Sequence, residues 1–131
     1  TAAVLAREWR GPETEAYGRA LEGSITPEEV FDYQSRADAF ADYLVNFLAE
    51  VNAAGVASVV NVYDPELLSL GGSIALRNPK MVESIAKKVR KYVVNRLPEL
   101  VLTPLGENAV LVGASMIALN TPPNLVKLQK G

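Results

Sequence analysis

The sequence predicts an α/β fold, mostly helical, built around one short parallel βαβ unit. Two stretches carry the strands. Leu67-Leu68-Ser69-Leu70 and Leu100-Val101-Leu102 are short apolar runs bounded by breakers, the pattern of buried strands. Between them lies a helical segment running from Asn78-Pro79 to about Arg96, and strand, helix, strand in that order makes a right-handed crossover with parallel strands. Ahead of the unit a long apolar-striped stretch from about Ala37 to Tyr63 predicts the longest helix.

Taken in order, Val4, Leu5 and Trp9 stand at helical spacing and Gly11-Pro12 closes that first piece. A further turn or two is expected over Glu13 to Leu21, around Ala16, Tyr17, Ala20 and Leu21, with Gly23 as its terminator. Thr26-Pro27-Glu28-Glu29 then reads as a helix start. Threonine caps, proline takes the first turn, and Glu29 completes a capping box. The two carboxylates also suit the positive end of the helix dipole, and adjacent residues point in different directions, so the pair reads as structural rather than catalytic. Along the long helix Phe40, Leu44, Phe47, Leu48, Val51, Val59 and Val62 form the expected buried stripe, with Asp38, Asp42 and Glu50 off it. Ala53-Ala54-Gly55 is thin, and a mid-helix glycine costs about 1 kcal/mol relative to alanine, so close packing by a neighbour is expected there. Asp64-Pro65 stops the helix.

After Leu70 the chain reads Gly71-Gly72-Ser73. Open α/β sheets place ligands at the C-terminal ends of their strands, and two residues without Cβ let a backbone or ligand come close. The bland alternative is a tight strand-to-helix turn. The following helix is expected to bury Met81, Val82, Ile85, Val89, Tyr92 and Val93, leaving Lys80, Lys87, Lys88, Arg90, Lys91 and Arg96 as a solvated or anion-binding face. Gly106-Glu107-Asn108 opens a last helix, Ala109 to Leu119, whose Gly113, Ala114 and Ser115 permit close approach. Thr121-Pro122-Pro123 ends it, and a loosely ordered basic tail is expected after Asn124.

Composition narrows the function. The chain has 131 residues, 49% hydrophobic and 21% charged, with net charge −2 and a pI near 5.2. Such a balance argues against nucleic acid or an anionic membrane as partner. With no Cys and no His, disulfides, thiol catalysis and the common zinc sites are excluded. No run of about 20 apolar residues lacks charges and breakers, so no membrane span is expected. A cytoplasmic location fits by default. The chain opens at Thr1 rather than Met, as a processed protein or a fragment would. Two short parallel strands make a poor sheet alone, so further strands are expected from another copy or from the rest of the same protein.

The segment order resembles the C-terminal half of the ROK family, the repressors, open reading frames and sugar kinases with an actin-like (ribonuclease H-like) ATPase fold. The resemblance rests on Asn61-Val62-Tyr63-Asp64-Pro65-Glu66, Leu68-Ser69-Leu70-Gly71-Gly72-Ser73, the Asn78-Pro79 helix start, and Leu105-Gly106-Glu107-Asn108-Ala109-Val110-Leu111-Val112-Gly113-Ala114. Ile25-Thr26-Pro27-Glu28-Glu29-Val30-Phe31 also matches the family's segment before the long helix. On this resemblance residues 1–105 form part of an incomplete C-terminal actin-like domain, and 106–131 a helix and tail packing toward an N-terminal domain.

The resemblance implies part of an ATP-dependent sugar kinase of glucokinase or hexokinase type, moving the ATP γ-phosphate to a hexose hydroxyl with Mg²⁺. Gly71, Gly72 and Ser73 would contact the nucleotide, and helix-start N–H groups would favour its phosphates. A sugar-sensing repressor of the same family and a non-enzymatic helical interaction domain are the alternatives. The family's first phosphate loop, catalytic Asp, sugar-binding Glu and His, and Cys-rich zinc motif have no counterpart in this chain, so no catalytic residue is assigned and the chain alone should not transfer phosphate. Hexose would be held mainly outside it. Self-association is expected by resemblance and from open strand edges.

Overall fold

The structure, a computed structural model, describes residues 1–120; the expected end of the last helix at Thr121-Pro122-Pro123 and the basic tail lie outside the described residues. The first four helices are α1 (Ala2–Glu8), α2 (Glu15–Leu21), α3 (Pro27–Ser35) and α4 (Ala39–Tyr63). The βαβ unit follows as β1 (Leu67–Leu70), α5 (Ser73–Arg77), α6 (Pro79–Val89) and β2 (Glu99–Leu102), and then a 3-10 turn at Gly106–Asn108 leads into α7 (Ala109–Leu119).

Local chemistry accounts for the helix starts. Thr26 Oγ1 accepts from Glu29 N at 3.3 Å while Glu29 Oε2 accepts from Thr26 N at 2.8 Å, the expected capping box. Asp38 does more than sit off a stripe. Its Oδ1 accepts from Phe40 N and Ala41 N, both at 3.0 Å, and from the Thr14 hydroxyl at 2.8 Å, while Oδ2 accepts from Ala16 N at 3.3 Å. One carboxylate therefore caps α4 and holds the start of α2 against it. At the other end Asp64 adopts a left-handed φ of 43° before Pro65, ending α4 where expected.

Two cores flank α4. The first joins Leu5, Ala16, Ala20, Val30 and Tyr33 to Phe40, Ala41, Leu44 and Val45. The second sets Ala49, Ala53 and Ala57 against Met81, Ile85 and Val89 of α6. This corrects the expected stripe. Phe40 and Leu44 are buried and Leu48 half-buried, but Phe47, Val51, Val59 and Val62 are exposed, Val62 to 71%. The helix is apolar on several faces, and the face chosen is the one whose small side chains let α6 approach. Gly55 is not part of that seam: a Cβ there would meet nothing within 4 Å. Among the described residues α4 is the single helix long and apolar enough to cross a bilayer by length and composition; in this fold its alanine face is a core seam.

The strands pair in parallel, Leu67 opposite Glu99 and Leu70 opposite Leu102, as a two-stranded sheet. They are less buried than expected. Leu67 is 55% exposed, and Leu68, Leu70 and Leu100 are half-buried, because two strands alone leave edges that no further strand among the described residues covers.

α6 also ends earlier than periodicity suggests, at Val89 rather than near Arg96. Met81, Val82, Ile85 and Val89 are buried as expected, but Tyr92 is exposed. The reason is tertiary. Asn61 Nδ2 donates to Tyr92 O at 3.0 Å and its Oδ1 accepts from Val94 N at 3.0 Å, while Asn95 Nδ2 donates to Val60 O and Asn61 O. The end of α4 thus takes backbone groups that a longer α6 would have used itself.

Half of the expected basic face is committed to the same contact. Lys88 and Lys91 reach Glu50 of α4 at 2.9 and 3.1 Å, Tyr92 donates its hydroxyl to the same carboxylate, and Arg96 approaches Asp64 and Glu66. The Tyr92 hydroxyl, then Lys88 and Lys91, lower the Glu50 pKa from its ordinary 4.5 to about 2. A depressed carboxylate stabilises the fold above its unfolded pKa and loses that contribution as pH falls toward the folded value. Glu50→Gln should therefore lower the thermal midpoint at pH 7 and narrow the gap to wild type between pH 4.5 and about 2. Melting curves across that range check it; a constant gap would mean that the charge of Glu50 contributes nothing.

Candidate functional site

The Gly71-Gly72-Ser73 turn sits where β1 hands over to α5, beside the C-terminal end of β2. Thr103 N donates to Leu70 O at 2.8 Å, which brings Thr103 against the turn. A Cβ on Gly71 would lie 3.3 Å from Thr103 Cγ2, so Gly71 serves the close approach of the two strand ends. Gly72 is required for a different reason. Its φ of 98° and ψ of 154° fall in a region open essentially to glycine alone. Both glycines thus have a backbone rationale. What distinguishes the second is its surroundings, since no atom lies within 4 Å of its Cβ position. Gly71, Gly72 and Ser73 are all exposed.

Two hollows lie between α3 and the α5–α6 segment, and only the smaller reaches the turn, at Ser73. A small one of about 30 Å³ is walled by Pro27, Glu28 and Phe31 on α3 and by Ser73, Ile74 and Arg77 on α5. A wide groove of about 510 Å³ shares Phe31, Arg77 and Asn78 with it and extends to Asp42, Asn46 and Lys80. The α3 capping box sets the first wall by fixing where that helix starts. The second wall is set by the turn itself, which launches α5 directly from Gly72.

Ser73 is therefore at the rim of a real hollow. Sequence reasoning did not select Phe31, Arg77 or Asn78. The Asn78-Pro79 helix start was visible, but nothing in sequence spacing reveals that α3, some 45 residues upstream, supplies the opposite wall.

α5 spans only five residues. A macrodipole sums over aligned peptides, so so short a helix offers little to a phosphate, and the expected role of its start in phosphate binding rests on a weak element. Its C-terminal Arg77 pairs with Glu107 of the 3-10 turn, Nη2 to Oε1 at 3.4 Å. Among the described residues no three Asp, Glu, His or Cys side chains gather into a metal-holding group. The donors here do not by themselves make a site for a resident Mg²⁺.

The family model for the ROK family matches residues 10–121. Curated relatives are glucokinases. That of Aeropyrum pernix is 37% identical over 131 aligned residues, covering 95% of this chain and 40% of that protein. That of Pyrobaculum calidifontis is 38% identical over 109 residues, covering 82% of this chain and 37% of the relative. A third, from Thermotoga maritima, is 27% identical over 93 residues, 69% of this chain and 29% of the relative. The chain spans about two fifths of the length of the first of these relatives. The matched segment takes in α2 through α7 together with the Gly-Gly turn and both hollows, and on that match this chain belongs to the ROK family.

Proposed function

We propose that this chain is the C-terminal portion of an ATP-dependent sugar kinase of glucokinase or hexokinase type, forming one side of its nucleotide cleft within an actin-like fold. The observation that carries the reading is the Gly71-Gly72-Ser73 turn, open at the C-terminal ends of two parallel strands and bordered by the hollow between α3 and α5. Glycine backbone can lie flat against a nucleotide there. In the whole protein an Asp outside this chain deprotonates the hexose hydroxyl that attacks the γ-phosphate of Mg-ATP. The residues of this chain bind and orient; they carry no catalytic acid or base. The glucokinase relatives support the substrate class.

The reading also gives the exposed surfaces a purpose. Beyond Ala109, α7 is exposed throughout, with Val110 and Leu119 about four-fifths accessible at 83% and 79%. We infer that α7 packs against an N-terminal domain and that residues 1–105 belong to the C-terminal one, in a cytoplasmic enzyme that self-associates and binds neither nucleic acid nor membrane; the tail expected to follow α7 lies outside the described residues.

The test is ADP binding by the intact protein, followed by calorimetry and by thermal midpoint, with Gly72→Val beside wild type. Wild type should bind ADP and be stabilised by it, and should release ADP from ATP when hexose is added. A valine at this φ and ψ costs about 1–3 kcal/mol and fills the open space over the turn, so ADP affinity should fall by about ten-fold or more. Equal responses from the two proteins would overturn nucleotide contact at Gly72.

A further inference from the structure

We propose that Arg77 holds the phosphate of the bound nucleotide, and that Glu107 is its placeholder in the empty protein, exchanged for phosphate on binding. The inference rests on the nucleotide reading above and adds to it a named anion-binding residue.

Three observations meet at this side chain. Ser73 and Arg77 are four residues apart on α5, hence on one face, and both wall the hollow beside the Gly-Gly turn. Arg77 also walls the wide groove, so it is one of three residues that line both hollows. Its partnering is slight: one long contact, 3.4 Å, to one oxygen of Glu107, with the two side chains 63% and 67% exposed. A guanidinium carries five donors in a fork suited to phosphate, and among the described residues only one is used.

Charge requires such a residue. Phosphate laid along Gly72 finds little help from a five-residue helix. It would also approach the Glu107 carboxylate, a like charge. Exposed single-contact ion pairs are weak, whereas a forked Arg–phosphate contact is strong. Turning Arg77 from Glu107 to phosphate therefore removes the repulsion and supplies the missing cation together. Because Glu107 lies in the turn that leads into α7, the exchange also releases the tie between α5 and the start of that helix.

The experiment measures ADP and adenosine binding to the intact protein as wild type, Arg77→Gln and Glu107→Gln, all exposed substitutions that leave the cores untouched. Arg77→Gln should weaken ADP by about ten-fold or more and leave adenosine within about two-fold. Glu107→Gln should tighten ADP by roughly two- to five-fold, since it removes the competitor. ADP binding that is unchanged in Arg77→Gln, or lost together with adenosine, overturns the proposal. So does Glu107→Gln binding ADP no better than wild type, which would make Glu107 a support for Arg77 or a bystander. A wild type that binds no ADP overturns the nucleotide reading itself, whereas wild-type binding that is indifferent to Arg77 overturns this inference alone.

Discussion

Phe40→Ala is expected to cost about 3–5 kcal/mol of folding stability, because Phe40 is the largest fully buried side chain among the described residues. Phe40 has no accessible surface. Its ring meets Trp9 edge-on at 5.6 Å and Tyr17 edge-on at 5.6 Å, and Tyr43 lies 6.2 Å away. Removing it leaves a cavity bounded by α1, α2 and α4, and those rings are held by several elements, so they cannot simply collapse into it. Edge-to-face contacts add about 0.5–1.5 kcal/mol beyond the area buried. Urea titration of wild type, Phe40→Leu and Phe40→Ala measures the effect. Leucine keeps much of the volume and should lose clearly less than alanine. A loss below about 1 kcal/mol for the alanine variant would mean that the aromatic cluster is not a core at all.

The second large effect is at the opposite end of the size scale. Ala53→Leu should destabilise by about 1–3 kcal/mol or more through overpacking, and it should weaken ADP binding as well. Ala49, Ala53 and Ala57 are fully or almost fully buried and face Met81, Ile85 and Val89. Any larger side chain pushes α6 outward, and α6 begins at Pro79, next to the Asn78 that walls both hollows. Stability and affinity are therefore coupled through one rigid helix. Denaturation and ADP titration of the same variant test this together. A variant that loses stability while keeping full ADP affinity would show that the seam supports the fold but does not place the site.

The turn between β1 and α5 was legible because it depends on residues with few alternatives. Gly71-Gly72 after a short apolar strand marks a tight turn, and at Gly72 the φ of 98° is a backbone open essentially to glycine alone. Thr26-Pro27-Glu28-Glu29 marks a helix start by local hydrogen bonds alone, and Asp64-Pro65 marks a stop by sterics alone. Where a segment's structure depended on its neighbours, sequence reading went astray. The stripe of α4 was drawn through its largest apolar residues, which holds at Phe40 and Leu44, yet beyond them the seam with α6 runs through Ala49, Ala53 and Ala57. Periodicity continued α6 to Arg96, whereas the Asn61 side chain captured the backbone at Tyr92 and Val94, beyond Val89.

The sequence by itself determined the main helices and strands in their order, the Thr26 cap, the Asp64-Pro65 break, the parallel βαβ unit and the family, because these follow from local conformational preference and residue spacing. Only the tertiary structure decided which face of α4 is inside, which basic residues are spent on Glu50, and that Phe31 of α3 stands across from Ser73 and Arg77 of α5. The physical reason is that a strongly apolar helix offers several faces of similar hydrophobicity. The choice among them is made by how closely a partner can pack, a property of two helices at once that neither one's sequence contains.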